Sequence, residues 1–581
     1  MQSEIDQPEL SGHDALYGSD ALAEMLRTLD VSYVALNPGS SFRGLHDSLV
    51  NHLGNRDPQM LLCLHEEHAV AIAHGWAKVT GRPLAVILHA NVGLMHAAMA
   101  LYNAWCDRVP MLVLGATGPV DAAKRRPWID WLHTSRDQAA IVRPYVKWDD
   151  QPASLEASLQ SMMRAARITQ AAPMAPTYVC FDVTVQEAPL SAMPALPAPD
   201  RHAKPHFPSV SEADVTVLLD MLREAERPVL LMGRMSRDQA DWDRRVALAE
   251  HFGARVVTDI KTAAAFPPRH PLHAGVPGYF LSPGAKEAIA EADLVVSFDF
   301  VDPAGTMGTR GQGRVALISL DPLLQNGWSL DHQALPSSDL NLLADPDAVI
   351  AALCAAADMK VAPSQGAIPA PERSPGPAPD RPIPLSALAD ALADACGEDV
   401  TYLRVPLGWD GAKCGWRGPM DYLGYDGGAG IASGPGMAVG AALALKDLGR
   451  LPLAVLGDGD FVMGTTAIWT AARHGVPLLI VVSNNRSYFN DEIHQERMAR
   501  DRGRPVANKH VGQAIADPDI DIAALARSQG AVGLGPAMAA AEVPELLAKA
   551  VAEVRAGKVV VVDIRVASGY SEEMSEGMTE G

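Results

Sequence analysis

Basic residues are scarce in this chain: 48 Lys and Arg stand against 69 Asp and Glu, a formal charge of −21. Such a balance repels phosphate backbones and anionic lipid surfaces, and so argues against nucleic-acid or polybasic membrane partners. Cysteine is also sparse. Cys63, Cys106, Cys180, Cys354, Cys396 and Cys414 form no CxxC pair and have no His-rich neighbourhood, which speaks against a zinc site or a disulfide framework. No apolar run approaches the roughly 20 residues needed to span a bilayer. The start, MQSEIDQPELSGHD, lacks the basic first stretch and apolar centre of a signal peptide. Together these absences predict a soluble, cytoplasmic protein.

What is present is hydrophobic content of 48% over 581 residues, which excludes disorder and suits about three to five domains at roughly 100–200 residues each. Short β-branched runs alternate with Ala-rich helical stretches in three blocks, the pattern of βαβ units around parallel sheets. The first block holds VSYVAL, LLCL, PLAVILHA and PMLVLGA; the second PVLLMG, ARVVTD, ADLVVSF and RVALISL; the third LPLAVLGDGD, PLLIVVSNN and KVVVVDIRV. Pro-rich stretches at Ala188–Pro208 and Ala362–Pro384 separate them. The expected organisation is three α/β domains, 14–186, 209–358 and 384–568, followed by an acidic, frayed tail.

The most informative segment runs from 451 to 490. Leu453–Leu456 and Pro477–Ser483 read as buried strands with a helix of Val462–His474 between them. A right-handed crossover would bring Gly457-Asp458-Gly459 and Asn484-Asn485 to one carboxyl-end rim. A carboxylate, an amide oxygen and backbone carbonyls are hard ligands for Mg²⁺ or Ca²⁺, ions that also hold phosphates. The glycines allow close backbone approach, and the next helix offers free N–H groups to an anion. A dinucleotide reading fits poorly, because no GxGxxG opens a helix in the right context and no GxxxxGK[ST] occurs.

GDG, twenty-four residues, then NN resembles the diphosphate and metal motif of thiamine-diphosphate-dependent enzymes, and the three-block organisation matches that family's pyrimidine-binding, central and diphosphate-binding domains. The resemblance implies that Asp458, the Asn485 side chain and the Ser487 carbonyl hold the metal, with Gly457, Gly459 and Asp460 at the diphosphate. In LLCLHEEHAVAIAHGWAKVTG, Glu66 stands nine residues before the Gly of Gly75-Trp76-Ala77, the family's place for the glutamate at the pyrimidine ring. Glu67, one step round the helix, should point elsewhere. In GGAGIASGPGMAVGAALAL, Ile431 takes the place of the apolar wedge that bends the cofactor, with the Ala429 carbonyl and the Ile431 N–H at the pyrimidine.

Two further matches resemble the benzoylformate decarboxylase branch: Ser40 of Asn37-Pro38-Gly39-Ser40, facing a substrate carboxylate, and His89, a proton-transferring histidine. The NAW of Asn103–Trp105 and the VKW of Val146–Trp148 echo it too. A second histidine late in the central domain has no match near residues 298–306, and His65, His68 and His96 remain as alternatives. Asp491 and His494 stand where that branch lines a phenyl pocket; polar groups there disfavour an apolar ring and suit a polar or larger 2-oxo acid. The charged 490–505 segment reads as a helix, either solvated or closing on substrate.

The implied activity is non-oxidative decarboxylation of a 2-oxo acid through a C2 ylid and enamine, with carboligation where a second carbonyl compound accepts the enamine. An acetolactate-synthase-like carboligase or a 2-hydroxyacyl lyase shares that chemistry. A cofactor-binding regulatory protein without catalysis is the reading from another class, against which intact Glu66, Asp458 and Asn485 speak. The family places its cofactor between the first domain of one subunit and the third of another, which implies a homodimer at least, with a homotetramer common. FAD occurs in some relatives, and Gly233-Arg234 alone does not establish it.

Overall fold

The structure is a computed structural model that describes residues 4–10, 15–308, 313–324, 335–364, 372–570 and 574. The expected domain start at 14, the middle of the 362–384 linker and the acidic tail beyond Tyr570, other than Met574, lie outside the described residues. The first part of the chain carries β1 (Leu16–Tyr17), β2 (Tyr33–Leu36), β3 (Gln59–Leu62), β4 (Ala85–His89), β5 (Met111–Thr117), β6 (Trp148–Asp150), β7 (Pro176–Asp182) and β8 (Pro189–Leu190). Six of these form a parallel sheet in the order β3-β2-β4-β5-β7-β6, while β1 and β8 make a small antiparallel pair.

A second parallel sheet follows, built from β9 (Pro228–Met232), β10 (Arg255–Val257), β11 (Leu294–Phe298), β12 (Arg314–Ser319) and β13 (Leu340–Leu343) in the order β10-β9-β11-β12-β13. The third comprises β14 (Val400–Arg404), β15 (Leu451–Gly457), β16 (Leu478–Asn484), β17 (Val532–Ala537) and β18 (Val559–Arg565), ordered β14-β15-β16-β18-β17 and again parallel. Helices cover both faces of such sheets, so their strands are buried along their length, as LLIVVSN of β16 is. The chain is therefore a three-domain α/β protein, as expected.

Strands β15 and β16 are direct neighbours, with Gly457 in register with Ser483. One expectation fails between them: Val462–His474 is not one helix but parts of two, Asp458–Gly464 and Ala467–Arg473. The break falls at Thr465-Thr466. Gly464 lies so close to the Ala432 carbonyl and Pro435 that no side chain would fit, while the Thr465 hydroxyl donates back to the Phe461 carbonyl at 2.8 Å.

The first and third sheets share one continuous apolar core, which runs from Ala35 and Val86 through Ala438 and Ala442 to Leu456 and Ile480. Its centre is the contact of helices Glu66–Thr80 and Ser433–Leu445. His65 caps the first by accepting the Glu67 N–H, and Gly81, at φ 65°, ends it. Gly75 lies against the Met437 carbonyl and Gly440 against that of Ile72, each too close for a Cβ. A methyl group at 440 must push the two backbones apart, an overpacking that costs about 1–3 kcal/mol. Gly440→Ala is expected to lower the unfolding free energy from urea titration by that amount, while Gly376→Ala, with open space around it, leaves it unchanged.

Candidate active site

The turns after β15 and β16 form one cluster. Asp458 is 4% exposed, and its Oδ2 is a buried oxygen with no hydrogen-bond partner among the described residues. Burial pushes its carboxyl up to about 6, against the pull of the backbone N–H groups of Gly459, Arg486 and Ser487. The Asn485 Oδ1 accepts the Ser487 N–H at 2.9 Å, and the Ser487 hydroxyl donates to Glu492, leaving the Ser487 carbonyl as its group to offer. The two asparagines differ in use. Asn484 is locked into the sheet, donating to Asp563 at 2.9 Å and accepting from Arg565 at 3.1 Å, whereas Asn485 sits on the turn. An orphaned buried carboxylate oxygen beside an amide and a carbonyl fits a hard divalent cation.

Gly457 faces open space, and Gly459 lies against the ring of Tyr488. The Asp460 side chain is turned inward: its Oδ1 accepts the Ala432 N–H at 2.8 Å and the Gly434 N–H at 3.3 Å, and its Oδ2 pairs with Arg404 at 3.3 Å. Only its backbone is left to face a diphosphate. Asp460 thus ties the metal turn to the glycine-rich loop. That loop is strained, with Ala429 at φ 56° and Ala432 at φ 89° on either side of the 38%-exposed Ile431. Asn103 clamps it across the domain boundary, donating to the Gly430 carbonyl at 3.1 Å and accepting its N–H at 3.2 Å. The clamp gives Asn103 of the NAW stretch a physical role.

Four neighbouring strand ends of the first sheet supply the opposite wall. Glu66, after β3, is 7% exposed and its Oε2 is 3.0 Å from His96 Nδ1. His89 ends β4. Its Nδ1 is 2.9 Å from the hydroxyl of Ser41, after β2 and next to Ser40. Its Nε2 is 3.1 Å from Nδ1 of His133, on the loop after β5. His89 also lies beside Glu66: a Cβ on Gly93 would touch both. Burial first, then His133 and Arg126, hold the His89 imidazole below its usual range.

None of the three alternative histidines meets His89. His65 caps its helix, His96 pairs with Glu66, and His68, pushed down to about 4 by burial, bonds Thr466 at 2.8 Å. His133 was missed because only the ring contact, not its polar and exposed surroundings in sequence, reveals it. Burial, and then Asp491, pushes Tyr570 up to about 12, and Phe489 packs edge-on against its ring. His494 has no contact that assigns it a part. The 490–505 segment forms the helix Phe489–Asp501, as expected.

The strand-end crevice of the central sheet, where a dinucleotide would lie, is bridged by Arg108, which reaches Asp299 at 3.0 Å and Asp321 at 2.9 Å.

A paired-loop site of this kind, with a cation nest on one parallel sheet and a buried glutamate on another, defines an enzyme that holds a diphosphate cofactor between two α/β domains. Three family profiles match the chain: the N-terminal TPP-binding domain of thiamine pyrophosphate enzymes at residues 16–141, the central domain at 215–310 and the C-terminal TPP-binding domain at 409–564. The chain belongs to the thiamine-pyrophosphate-dependent enzymes.

Among similar proteins, benzoylformate decarboxylase of Pseudomonas aeruginosa is 26% identical over 80% of this chain and 85% of its own. Probable 2-ketoarginine decarboxylase of the same organism is 27% identical over 81% and 82%, and acetolactate synthase isozyme 1 large subunit of Escherichia coli 25% over 83% of each. In fold the chain is similar to the Rhodococcus jostii thiamine diphosphate-dependent 4-hydroxybenzoylformate decarboxylase, with a TM-score of 0.76 at 21% identity over 96% of this chain and 100% of that one. Benzoylformate decarboxylase from Polynucleobacter necessarius gives a TM-score of 0.77 at 20% identity, over 96% and 99%.

Burial first, and then Asp460, raises the Glu67 carboxyl to about 7. An unfolded glutamate loses its proton near pH 4.3, so the folded protein bears a penalty that grows from about pH 4 to 7 and is full above that. More than a third of the group is solvated, and screening leaves about 1 kcal/mol of it. Glu67→Gln is therefore expected to raise the melting temperature by about one degree at pH 8.5 and leave it unchanged at pH 4, read by calorimetry.

Proposed function

We propose that this enzyme binds thiamine diphosphate through Mg²⁺, or Ca²⁺ in its place, and decarboxylates a polar or larger 2-oxo acid without oxidation. The observation that carries the reading is the buried, unpartnered Asp458 Oδ2 beside Asn485 and Ser487, together with the buried Glu66 at a strand end of the first sheet. Asp458, the Asn485 side chain and the Ser487 carbonyl would hold the cation. Gly457 and Gly459 would let the backbone approach the diphosphate, and Glu66 would accept the ring N–H of the pyrimidine. When bound, the cofactor supplies an electron sink for the pair released as carbon dioxide leaves.

The chain's own residues do the rest. Ile431, fixed between two left-handed residues, would shape the cofactor; the carbonyl of Ala429 and the N–H of Ile431 would orient its ring. His89 and Ser40, on adjacent strand ends, would face the 2-oxo acid, with His89 holding a proton near the reacting atoms. His133 makes that wall polar, which supports a substrate with polar groups of its own, and Asp491 and His494 would add to that polarity from the Phe489–Asp501 helix. Acetolactate synthases among the relatives keep carboligation, with a second carbonyl compound as acceptor, as the second reading.

We infer three domains at 14–186, 209–358 and 384–568, and a homodimer or homotetramer. Leu64, Met95, Met99 and Ile431 support an assembly: each is 38% exposed or more around Glu66 and the glycine-rich loop, a face that a second copy would cover. No helix among the described residues is long and apolar enough to cross a membrane, and a cytoplasmic location completes the reading.

Glu66→Gln is expected to slow C2 hydrogen exchange of the bound cofactor, followed by NMR, by about 10²–10⁴-fold while leaving cofactor affinity nearly unchanged. Asp458→Asn is expected to abolish Mg²⁺-dependent cofactor binding in calorimetry. A panel of single 2-oxo acids fed to the purified holoenzyme tests the activity itself: an aldehyde as sole product supports decarboxylation, an acyloin or acetolactate the second reading. Full exchange in Glu66→Gln would refute the assignment.

A further inference from the structure

The hydrogen bonds around His89 have a direction. The Ser41 hydroxyl oxygen accepts the Ala90 N–H at 3.1 Å, so its own proton is free to be donated, and His89 Nδ1 is 2.9 Å away. The Ser41 backbone N–H points at the same nitrogen from 3.4 Å. Two donors converge on Nδ1, which must therefore carry the ring's lone pair and leave the proton on Nε2. Nε2 in turn faces His133 Nδ1 at 3.1 Å, with the two rings edge to face at 79°. The Nε2–H donates, His133 accepts, and the chain runs one way: Ala90 to Ser41 to His89 to His133.

We propose that Ser41 and His133 are positioning residues that clamp His89 in its Nε2–H tautomer, Ser41 fixing which nitrogen carries the proton and His133 fixing where that proton points. The clamp draws on three strand ends, and each part depends on local shape. Gly39 brings the Ser41 turn against His89, since any side chain at 39 would collide with the imidazole. The loop that carries His133 is tied down by Asn91, whose Nδ2 donates to the Leu132 carbonyl at 3.2 Å. Arg126 is held in that loop by Asp130 at 2.8 Å. The charged and titratable groups that face His89 are Glu66, His133 and Arg126. His133 and Arg126 both oppose a positive charge on His89, which keeps it neutral and available.

The clamp has a chemical consequence for the enzyme proposed above, and the assignment of a role to His89 rests on that reading. A substrate oxygen that takes the Nε2–H must replace His133 as acceptor, at the place and angle where His133 Nδ1 now stands. His133 thus sets the direction in which His89 addresses the substrate without touching the reacting atoms.

The test uses full-length protein labelled with ¹⁵N-histidine, the His89 signals being assigned by their loss in His89→Gln. In the wild type His89 is expected as the Nε2–H tautomer at pH 8. Ser41→Ala should give a tautomer mixture. His133→Phe should raise the His89 titration midpoint by removing a like charge, and His133→Asn, which keeps an acceptor oxygen, should hold the ring closer to its wild-type signals than His133→Phe does. An Nδ1–H tautomer in the wild type, or a tautomer and midpoint unmoved by these changes, overturns the proposal whatever the substrate is.

On a turned-over 2-oxo acid, His133→Phe should lower kcat by at least about tenfold, part of the 10²–10⁴-fold that positioned acid–base groups contribute. KM should stay near the wild-type value, and the acid limb of the kcat/KM profile should move to higher pH. A panel with no turned-over substrate would refute the functional reading and leave the NMR result to decide the clamp. An equal loss of kcat in His133→Asn and His133→Phe with unchanged His89 signals would assign His133 a merely structural part and sink it.

Discussion

The active-site geometry depends on one close contact, that of helices Glu66–Thr80 and Ser433–Leu445. His68 lies beside Gly436 and Ile72 beside Gly440, so the two helices run in the same direction with their N-termini at one end. Parallel helices place like dipole ends together, an unfavourable arrangement unless negative charge sits at the paired N-termini. Here it does: Glu66 and Glu67 open one helix, and Asp460 caps the loop that leads into the other. The same two positive ends face the cleft where a diphosphate would lie. Packing that joins two domains and electrostatics that receive an anion are therefore one feature. It rests on glycines at 75, 436 and 440, because any larger residue there would move both helix ends away from the site.

Much of this was legible in the sequence, and the reason is local. GDG and NN fall at the ends of buried strands that a short crossover must make neighbours, so their meeting followed from connectivity alone. Glu66 could be placed because its distance from Gly75 is counted along a single helix. Gly75 itself was read only as a spacing mark, whereas the structure makes it a point of backbone contact. What could not be read is whatever depends on two distant segments. Ser41 and Ser40 look equivalent on the page, and a one-residue difference in a turn decides which reaches His89. His133 lies more than forty residues from His89, in a polar stretch with no regular period. Asp460 sits in the motif like a ligand-facing residue, yet its side chain is drawn inward by two N–H groups and by Arg404.

Arg404 shows how an acidic protein can manage such a site. It is buried, pairs with both Asp426 and Asp460, and lies over the Tyr425 ring at 4.2 Å. Asp426 in turn accepts the Ala429 N–H at 2.7 Å. A single guanidinium thereby holds the start and the end of the wedge loop against the metal turn. A buried guanidinium between two carboxylates satisfies its donors in a planar fork, which Lys could not do.

The count of charges around it nevertheless leaves a surplus of negative sign. Asp426, Asp460, Asp458 and Glu67 stand against Arg404 and, beside Asp426, Lys78, and the strain shows in the two groups left without a cationic partner: Asp458 is raised to about 6 and Glu67 to about 7, in each case chiefly by burial. Removing either carboxylate would ease the fold. A dication held as proposed above would place two charges at the Asp458 oxygen, reverse the sign of the local field and turn a destabilising carboxylate into a ligand. Binding energy and folding energy would then be coupled, since whatever such an ion gained from Asp458 it would return as stability to the rim on which Asn485, Ser487 and Asp460 sit.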